Sequence, residues 1–285
     1  MKICPVCSCE FEIFPEDHVF YQKFDVPEPR SCPRCRLIRR LCERNTRHLY
    51  MRKCDMTGEM ILSQYHASQP FPVYGSEAWW SDKWDARNFA QDFDFSRTFF
   101  EQFQELKNKV PHASLFVISG TMENSDYNNC VGYLKNCYLI SESDYDEDCY
   151  YSNLLKKCKN LVDCSICYES ELCYECIDCA GCYNLKYSQD CLQCHDSLFL
   201  YDCKSCDDCI GCIGQRHQPF MIFNRQYSAQ EYALEKEKLL AGGIEKLQEK
   251  CRIFFETQIH RNLRAENNEN SLGDHLYNSI NAFYF

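Results

Sequence analysis

Two runs of four cysteines, spaced three residues apart, decide the fold: residues 173–182 read CYECIDCAGC and residues 203–212 read CKSCDDCIGC. Both runs lie in a stretch from residue 130 to residue 212 that holds 16 of the 24 cysteines. When the sequence is folded at a period of about 18 residues, small and apolar residues align in columns three residues apart, with polar residues between them. One such column contains Ile140, Cys158, Cys176, Cys194 and Cys212. A fixed period with like residues in register is typical of a solenoid.

A period of about 18 residues suits one coil of a parallel β-helix, in which successive strands stack about 4.8 Å apart. The sequence therefore predicts about five coils between residues 122 and 214, with cysteine as a small apolar filler of a narrow interior. A calcium-binding roll of the same period needs a Gly-Gly-x-Gly-x-Asp repeat, and the chain has only ten glycines. We therefore expect no calcium ladder.

Three states of the repeat cysteines stay open. Buried free thiols explain the cysteines together with the Ser, Leu and Ile of the same columns. The two runs are also similar to the iron–sulfur pattern C-x2-C-x2-C-x3-C-P, but they have x2 in place of x3 and no proline follows. Disulfides between neighbouring coils are geometrically allowed. Neither a signal peptide nor an apolar stretch of membrane-spanning length is evident, so we expect a reducing, cytoplasmic location that favours thiols.

The N-terminus carries two C-x2-C pairs, Cys4-Pro5-Val6-Cys7 and Cys32-Pro33-Arg34-Cys35. Each pair can present two thiolates to one ion, and two pairs complete the tetrahedral shell of zinc. The sequence thus predicts one structural Zn²⁺ on Cys4, Cys7, Cys32 and Cys35, with no open position for a reaction. Cys42 and Cys54, with His48 or His66, are weaker candidates for a second zinc site, because no fourth ligand is fixed.

The first 45 residues or so resemble a bacterial family, the probable zinc-binding (zinc-ribbon) domain. The resemblance rests on the two C-x2-C pairs, on the run from Asp17 to Tyr21, and on the arginines at positions 36 and 39. It implies a zinc ribbon with the same four ligands and no reaction. Residues 42–145 also resemble a group of uncharacterised bacterial proteins, through the runs at 54–58, 70–74 and 79–84. That second resemblance implies no activity.

Charge is distributed unevenly around a net charge of −11. Residues 122–214 carry 17 acidic and six basic side chains, whereas arginines dominate the stretch after the second C-x2-C pair. Several of these arginines recur at helical spacing, and arginine is well suited to hold phosphates in a bidentate manner. The nucleic-acid-binding candidates are Arg34, Arg36, Arg39, Arg40, Arg44 and Arg47. The alternative is that this basic arm docks on the acidic body of the protein.

The remaining segments predict helices and a cap. Ser96 is a candidate N-cap for a helix with Phe99, Phe100 and Phe103 on a core face, ended by Pro111. Ser228-x2-Glu231 is a capping box, and the helices that follow are expected to cover the open end of the β-helix. The predicted division is a zinc ribbon with its Arg-rich extension at 1–60, an aromatic connecting region at 61–121, a cysteine-rich β-solenoid at 122–227, and a helical cap and tail at 228–285.

No catalytic motif is recognisable: the chain has no phosphate loop, nucleophile elbow or HExxH sequence. The predicted fold class is mixed and mainly β. The leading hypothesis is a zinc-binding, non-enzymatic binding or scaffold protein with a macromolecular partner, either protein or nucleic acid, and with no membrane or small-molecule substrate. The alternatives are a nucleic-acid or ribonucleoprotein-associated factor that uses the arginine arm, and an iron–sulfur or redox protein that uses the cysteine runs.

Overall fold

A computed structural model describes residues 1–42 and 44–282 of the chain. The protein is mainly β, with a group of four cysteines near the N-terminus, parallel sheets in the cysteine-rich region and helices after them. This confirms the predicted fold class, which was mixed and mainly β, and the order of these parts along the chain. The N-terminal elements are β1 (Lys2–Ile3), β2 (Glu10–Phe11), α1 (Pro15–Lys23) and α2 (Pro33–Leu41).

The middle of the chain contains a hairpin, a short parallel pair and two α-helices. Its elements are β3 (Tyr50–Lys53), β4 (Met60–Ser63), β5 (Val73–Tyr74), α3 (Ser76–Trp79), α4 (Phe99–Lys109) and β6 (His112–Ala113). Strands β3 and β4 are antiparallel, and β5 pairs in parallel with β6. Trp84 packs against Trp79, with ring centroids 4.8 Å apart, and also against Tyr74.

Two expectations for α4 were wrong. Thr98 caps the helix by accepting a hydrogen bond from the Glu101 N–H, whereas Ser96 bonds to Asp94 instead. The phenylalanine face does not enter a core: Phe99, Phe100 and Phe103 are all more than half exposed. Phe99 and Phe103 stack on each other at 5.7 Å, so the rings shield one another in place of a covering element.

Parallel strands dominate the cysteine-rich region, which we define as residues 122–226. Its strands are β7 (Met122–Glu123), β8 (Asn129–Gly132), β9 (Leu134–Lys135), β10 (Ser141–Asp144), β11 (Asn153–Lys156), β12 (Ser165–Tyr168), β13 (Ile177–Ala180), β14 (Tyr183–Lys186), β15 (Gln189–Leu192), β16 (His195–Leu198), β17 (Asp207–Ile210), β18 (Pro219–Ile222) and β19 (Arg225–Gln226). One sheet has six strands in the order β15-β13-β12-β11-β10-β8, and a second has five in the order β14-β16-β17-β18-β19.

The register between stacked strands is 12 residues, so the predicted longer coil was wrong. Cys167 pairs with Cys179, and Cys179 pairs with Cys191. Side chains are buried at every third position, and the predicted and observed periods are both multiples of three. When the sequence is written in rows of about 18 residues, buried positions therefore still align with buried positions, although the true register is shorter. One sheet alone stacks six strands, whereas five coils were predicted.

The backbone of this region turns at every third residue through the left-handed conformation. The series runs without interruption from Cys130 (φ 57°) to Asp178 (φ 54°), and every one of its members carries a side chain. Such a residue costs about 1 kcal/mol or more in backbone energy. Hydrogen bonds between stacked strands offset this cost: Asp163 N–H donates to Tyr150 O at 3.2 Å, and Lys159 N–H donates to Ser170 O at 3.0 Å.

The buried positions form one continuous cluster, filled mainly by cysteine and leucine. Each buried thiol donates to backbone carbonyls, as Cys158 Sγ does to Cys167 O at 3.2 Å. Serine fits the same positions, because Ser143 Oγ accepts from Leu155 N–H and donates to Ser141 O. None of the 24 cysteines, all of which lie among the described residues, is in a disulfide.

Helices follow the cysteine-rich region, as predicted, and pack against the last strands of the five-stranded sheet. That they cap the open end of a solenoid stays a prediction. The helices are α5 (Ala229–Ala241), opened by the Ser228–Glu231 capping box, and α6 (Ile244–Glu256). Tyr232, Leu247 and Cys251 of these helices are buried in one cluster with Ile210 and Ile222 of the sheet. After them, β20 (Ala265–Glu266) and β21 (Leu276–Tyr277) form a further parallel pair in the C-terminal tail.

Asp146 is a carboxyl group at one of the buried positions of the cysteine-rich region. It is 2% exposed; Oδ1 accepts from Cys158 N–H at 2.8 Å and Oδ2 has no partner. Burial raises the pKa of this carboxyl to about 7. Asn128 occupies a similar position, but its amide also donates to Cys137 O, nine residues later.

We predict that Asp146→Asn stabilises the protein at alkaline pH. The unfolded carboxyl ionises near its ordinary pKa and the folded one near 7, so native stability falls as the pH rises between those values and is constant above them. The amide removes this loss, on the order of 2–4 kcal/mol above about pH 8, and less than half of it near pH 5. Urea unfolding at both pH values measures the difference. Asp163→Asn, at an exposed position, is the control and should show no such pH dependence; equal gains at both pH values would contradict the burial argument.

Candidate metal centre and basic helix

The first C-x2-C pair lies in the turn between β1 and β2. Cys4 N–H donates to Cys9 O at 3.0 Å, and Ser8 N–H donates back to Cys4 O at 2.9 Å. Ser8 adopts the left-handed conformation, with φ of 59°, which closes the turn. The turn thus places the thiols of Cys4 and Cys7 on the same side of the hairpin.

The second pair begins helix α2. Cys32 is the N-cap, and its Sγ accepts a hydrogen bond from Cys35 N–H at 3.5 Å, while Pro33 occupies the first helical position, where no N–H is needed. Thiolates are favoured at such a helix N-terminus because free N–H groups and the helix dipole face them. This explains why a C-P-x-C sequence can serve as both a metal knuckle and a helix start.

The four sulfur atoms form one compact group. All four lie within 4.8 Å of one another, and Cys7 Sγ is 3.6 Å from Cys32 Sγ. A tetrahedral ion with Zn–S bonds of about 2.3 Å would separate its sulfur ligands by about 3.8 Å. Phe11 and Ile13 pack behind the buried Cys4 and Cys32. The group therefore has the ligand type, number and spacing of a closed structural metal site.

The protonation of these thiols is uneven. Hydrogen bonding to the Cys32 backbone lowers the pKa of the Cys4 thiol to about 6. A hydrogen bond with the Cys7 side chain raises the pKa of Cys35 to about 12. A metal ion must displace the protons that remain, so its affinity is expected to fall as the pH falls.

The candidate ligands of a second zinc lie apart. Cys42 is exposed and donates to Arg39 O, whereas Cys54 is buried and accepts from Gly75 N–H at 3.4 Å. The His66 imidazole bonds to Ser68. Within residues 1–42 and 44–282, no group of three metal-ligating side chains includes Cys42, Cys54, His48 or His66.

Cys54 nevertheless lies in a turn of the same design as the first knuckle. Cys54 N–H donates to Glu59 O and Gly58 N–H donates to Cys54 O, both at 2.8 Å, and Gly58 has a positive φ as Ser8 does. Thr57 takes the position that Cys7 has in the first turn. The C-x2-T spacing was a sequence signal for this second knuckle, which keeps only one thiol.

The six candidate arginines lie in four different environments. Arg34, Arg39 and Arg40 are exposed on α2 and make no ion pair with any residue that the structure describes. Arg36 is half-buried, and Arg44 pairs with Glu142 at the start of the acidic region. Arg47 lines a groove of about 240 Å³ together with Tyr127 and Tyr151. Arg44 therefore links the basic arm to the acidic region, whereas Arg34, Arg39 and Arg40 have no acidic partner in the part of the chain that the structure describes.

The cysteine runs predicted as possible cluster ligands do not converge on one point. The first run consists of four buried residues, Cys173, Cys176, Cys179 and Cys182. In the part of the chain that the structure describes, they do not form a group of three or more sulfurs that all lie within 4.8 Å of one another. Their thiols donate to backbone carbonyls, for example Cys176 Sγ to Leu185 O at 3.3 Å. Burial raises the pKa of neighbouring thiols such as Cys191.

Comparison with models of protein families, and with curated proteins, found no match to this chain. The resemblance of residues 1–45 to a zinc-ribbon family therefore stays a prediction, carried by the cysteine group alone.

Among the described residues, no helix combines the length and the apolar character that crossing a bilayer would require.

We predict that Cys35→Ser abolishes stoichiometric binding of zinc at the N-terminus. The substitution leaves three thiolates for an ion that needs four, and loss of one ligand should weaken the site by at least about 100-fold. Zinc content by mass spectrometry and competition with a chromogenic chelator measure the change. The affinity of the wild-type protein should also fall as the pH is lowered.

The matched control is Cys9→Ser, which removes an exposed thiol from the same hairpin. It should retain one zinc per chain. Equal loss of zinc in both variants would show that the four-cysteine group is not the binding site.

Proposed function

We propose that this chain is a zinc-binding, non-enzymatic scaffold protein whose N-terminal Cys4, Cys7, Cys32 and Cys35 hold one structural Zn²⁺. The observation that carries the proposal is the compact group of four sulfurs. Four thiolate ligands favour zinc over harder ions, and they leave no coordination position for a substrate. The ion would fix α2 relative to the β1–β2 hairpin, since the two cysteine pairs come from these two elements.

We further propose that residues 122–226 form a closed β-solenoid whose coils repeat every 12 residues, the separation between residues that are paired on adjacent parallel strands. Support comes from the common register of both sheets, and from isolated parallel bridges such as Tyr150 with Val162, which continue the same register between the strands. The single buried cluster is also what a closed coil would enclose. Such a rod would present fixed columns of surface side chains to a partner.

A nucleic-acid partner is the second candidate function, and the free arginines of α2 favour it. Arg34, Arg39 and Arg40 have no acidic partner among the described residues, so their charge is available to phosphate groups. Leu37, Ile38 and Leu41 are also exposed on this helix, which would allow apolar contacts beside the charged ones. A reducing, cytoplasmic location fits 24 cysteines without a disulfide among them.

Metal analysis of the purified protein tests the scaffold proposal against the redox alternative. We expect a colourless protein with one zinc per chain and no iron after anaerobic purification. Iron with acid-labile sulfide, lost when Cys176 and Cys206 are replaced by serine, would instead support clusters in the cysteine runs. Serine is a mild probe, because the same fold already accepts it at buried positions such as Ser143.

We predict that replacing Arg34, Arg39 and Arg40 by glutamine weakens binding to single-stranded RNA or duplex DNA. A plot of log affinity against log salt concentration has a negative slope, and each phosphate contact that is lost should make that slope less steep by roughly 0.7 to 0.9. Fluorescence anisotropy at several salt concentrations measures it. The control replaces Lys156, Lys157 and Lys186 of the cysteine-rich region by glutamine. If the arginine variant keeps the wild-type slope, α2 is not a nucleic-acid interface.

A further inference from the structure

A second group of metal-ligating side chains joins the C-terminal tail to the cysteine-rich region. It consists of Asp178 on β13, Asp190 on the adjacent strand β15, and His275 from the tail. One ligand atom of each lies within 4.8 Å of the others. Asp178 and Asp190 line an open groove of about 360 Å³ together with Arg264. None of these residues belongs to the N-terminal zinc site.

The Asp190 carboxylate is the strongest sign of a cation site. Its side chain is only 3% exposed, and Oδ1 has no hydrogen-bond partner although it is buried. A buried carboxylate oxygen without a donor is costly unless a cation reaches it.

The imidazole of His275 is oriented as a metal ligand would be. Its Nε2 lies 2.9 Å from Arg264 Nη1 and 3.0 Å from Asp178 Oδ2. The guanidinium can only donate, so Nε2 can accept from it in the tautomer that carries the ring proton on Nδ1, and the same tautomer would present Nε2 to a metal ion. Nδ1 faces Asp274 Oδ2 at 3.4 Å. A carboxylate behind the far ring nitrogen is the usual support of a ligating histidine.

Asp274 is itself held in place. Its Oδ1 accepts from the backbone N–H groups of Arg264 and His275, at 2.8 and 2.9 Å. Ligand atoms of Asp178, Asp190 and His275 thus lie together around the Arg264 guanidinium, whose positive charge offsets the charge of the two carboxylates. Arg264 contacts all three: it bonds to Asp190, bonds to His275, and lies 3.7 Å from Asp178.

We propose that Asp178, Asp190 and His275 form a divalent-cation site, at which a metal ion replaces the Arg264 guanidinium and fastens the tail to the cysteine-rich region. Two carboxylate oxygens and one imidazole nitrogen suit a first-row divalent ion such as Mn²⁺, with water in the remaining positions. The site would thus exchange one cation, the Arg264 guanidinium, for another, the divalent metal ion, and the Arg264 side chain would be released. The bound ion bridges a tail residue and two residues of a sheet edge.

The test uses the full chain with its N-terminal cysteines saturated with zinc, and Mn²⁺ as the probe. Electron paramagnetic resonance measures free Mn²⁺ as it is titrated to millimolar concentration, and we expect one Mn²⁺ to bind per chain. His275→Gln and Asp178→Asn should each weaken binding by at least about tenfold. Arg264→Gln should strengthen it, because the competing cation is removed. His195→Gln is the matched control, since His195 faces a single carboxylate, Asp207, at 3.1 Å.

Far-UV circular dichroism of each variant separates loss of the site from loss of the fold. Absence of Mn²⁺ binding in both the wild type and Arg264→Gln would overturn the proposal, as would binding that is unchanged in His275→Gln and Asp178→Asn. Cys35→Ser should bind Mn²⁺ normally, so failure of the N-terminal zinc site and failure of this site are distinguishable.

Discussion

The hydrogen bonds between successive stacked strands are the interaction on which the rest of the structure depends. Each turn through the left-handed conformation is unfavourable for a residue with a side chain, and the cysteine-rich region makes one at every third residue. The regular N–H to carbonyl bonds between neighbouring strands compensate for this repeated cost. These hydrogen bonds form only when the chain turns tightly, and tight turns leave a narrow interior for the buried side chains. Cysteine and serine meet that limit, and their S–H and O–H groups also bond to the carbonyls of the turns.

The sequence predicted the buried positions better than it predicted the path of the chain. The three-residue spacing of cysteine correctly identified one buried side of the backbone, and the buried Asn128 and Asp146 lie at the same spacing. The length of a coil could not be read from this spacing, because any multiple of three keeps buried positions on buried positions. Pairs such as Cys167 with Cys179 are fixed by the tightness of the turns, which composition does not reveal.

The candidate metal centres show a similar division. Cys4, Cys7, Cys32 and Cys35 were identified from local spacing, since each pair lies in one turn or at one helix start. Asp178, Asp190 and His275 were missed, because His275 lies 97 residues from Asp178 and no local pattern joins them. The exposed phenylalanines of α4 were misjudged for the opposite reason. Their helical spacing was read correctly as an apolar face, but spacing does not say whether another element covers that face.

The stacking of strands in steps of 12 residues sets rules for how this region can change in length. Insertion of one whole step would add a strand to the stack, lengthen it by about 4.8 Å, and keep every surface column aligned. Insertion of a single three-residue segment would keep the buried positions buried but shift the following surface residues to the next side, which would part Asp178 from Asp190. Insertion of only one or two amino acids would bring polar side chains into the cluster of thiols. The region can therefore gain or lose length freely only in whole steps, and its surface sites tolerate fewer changes than its core.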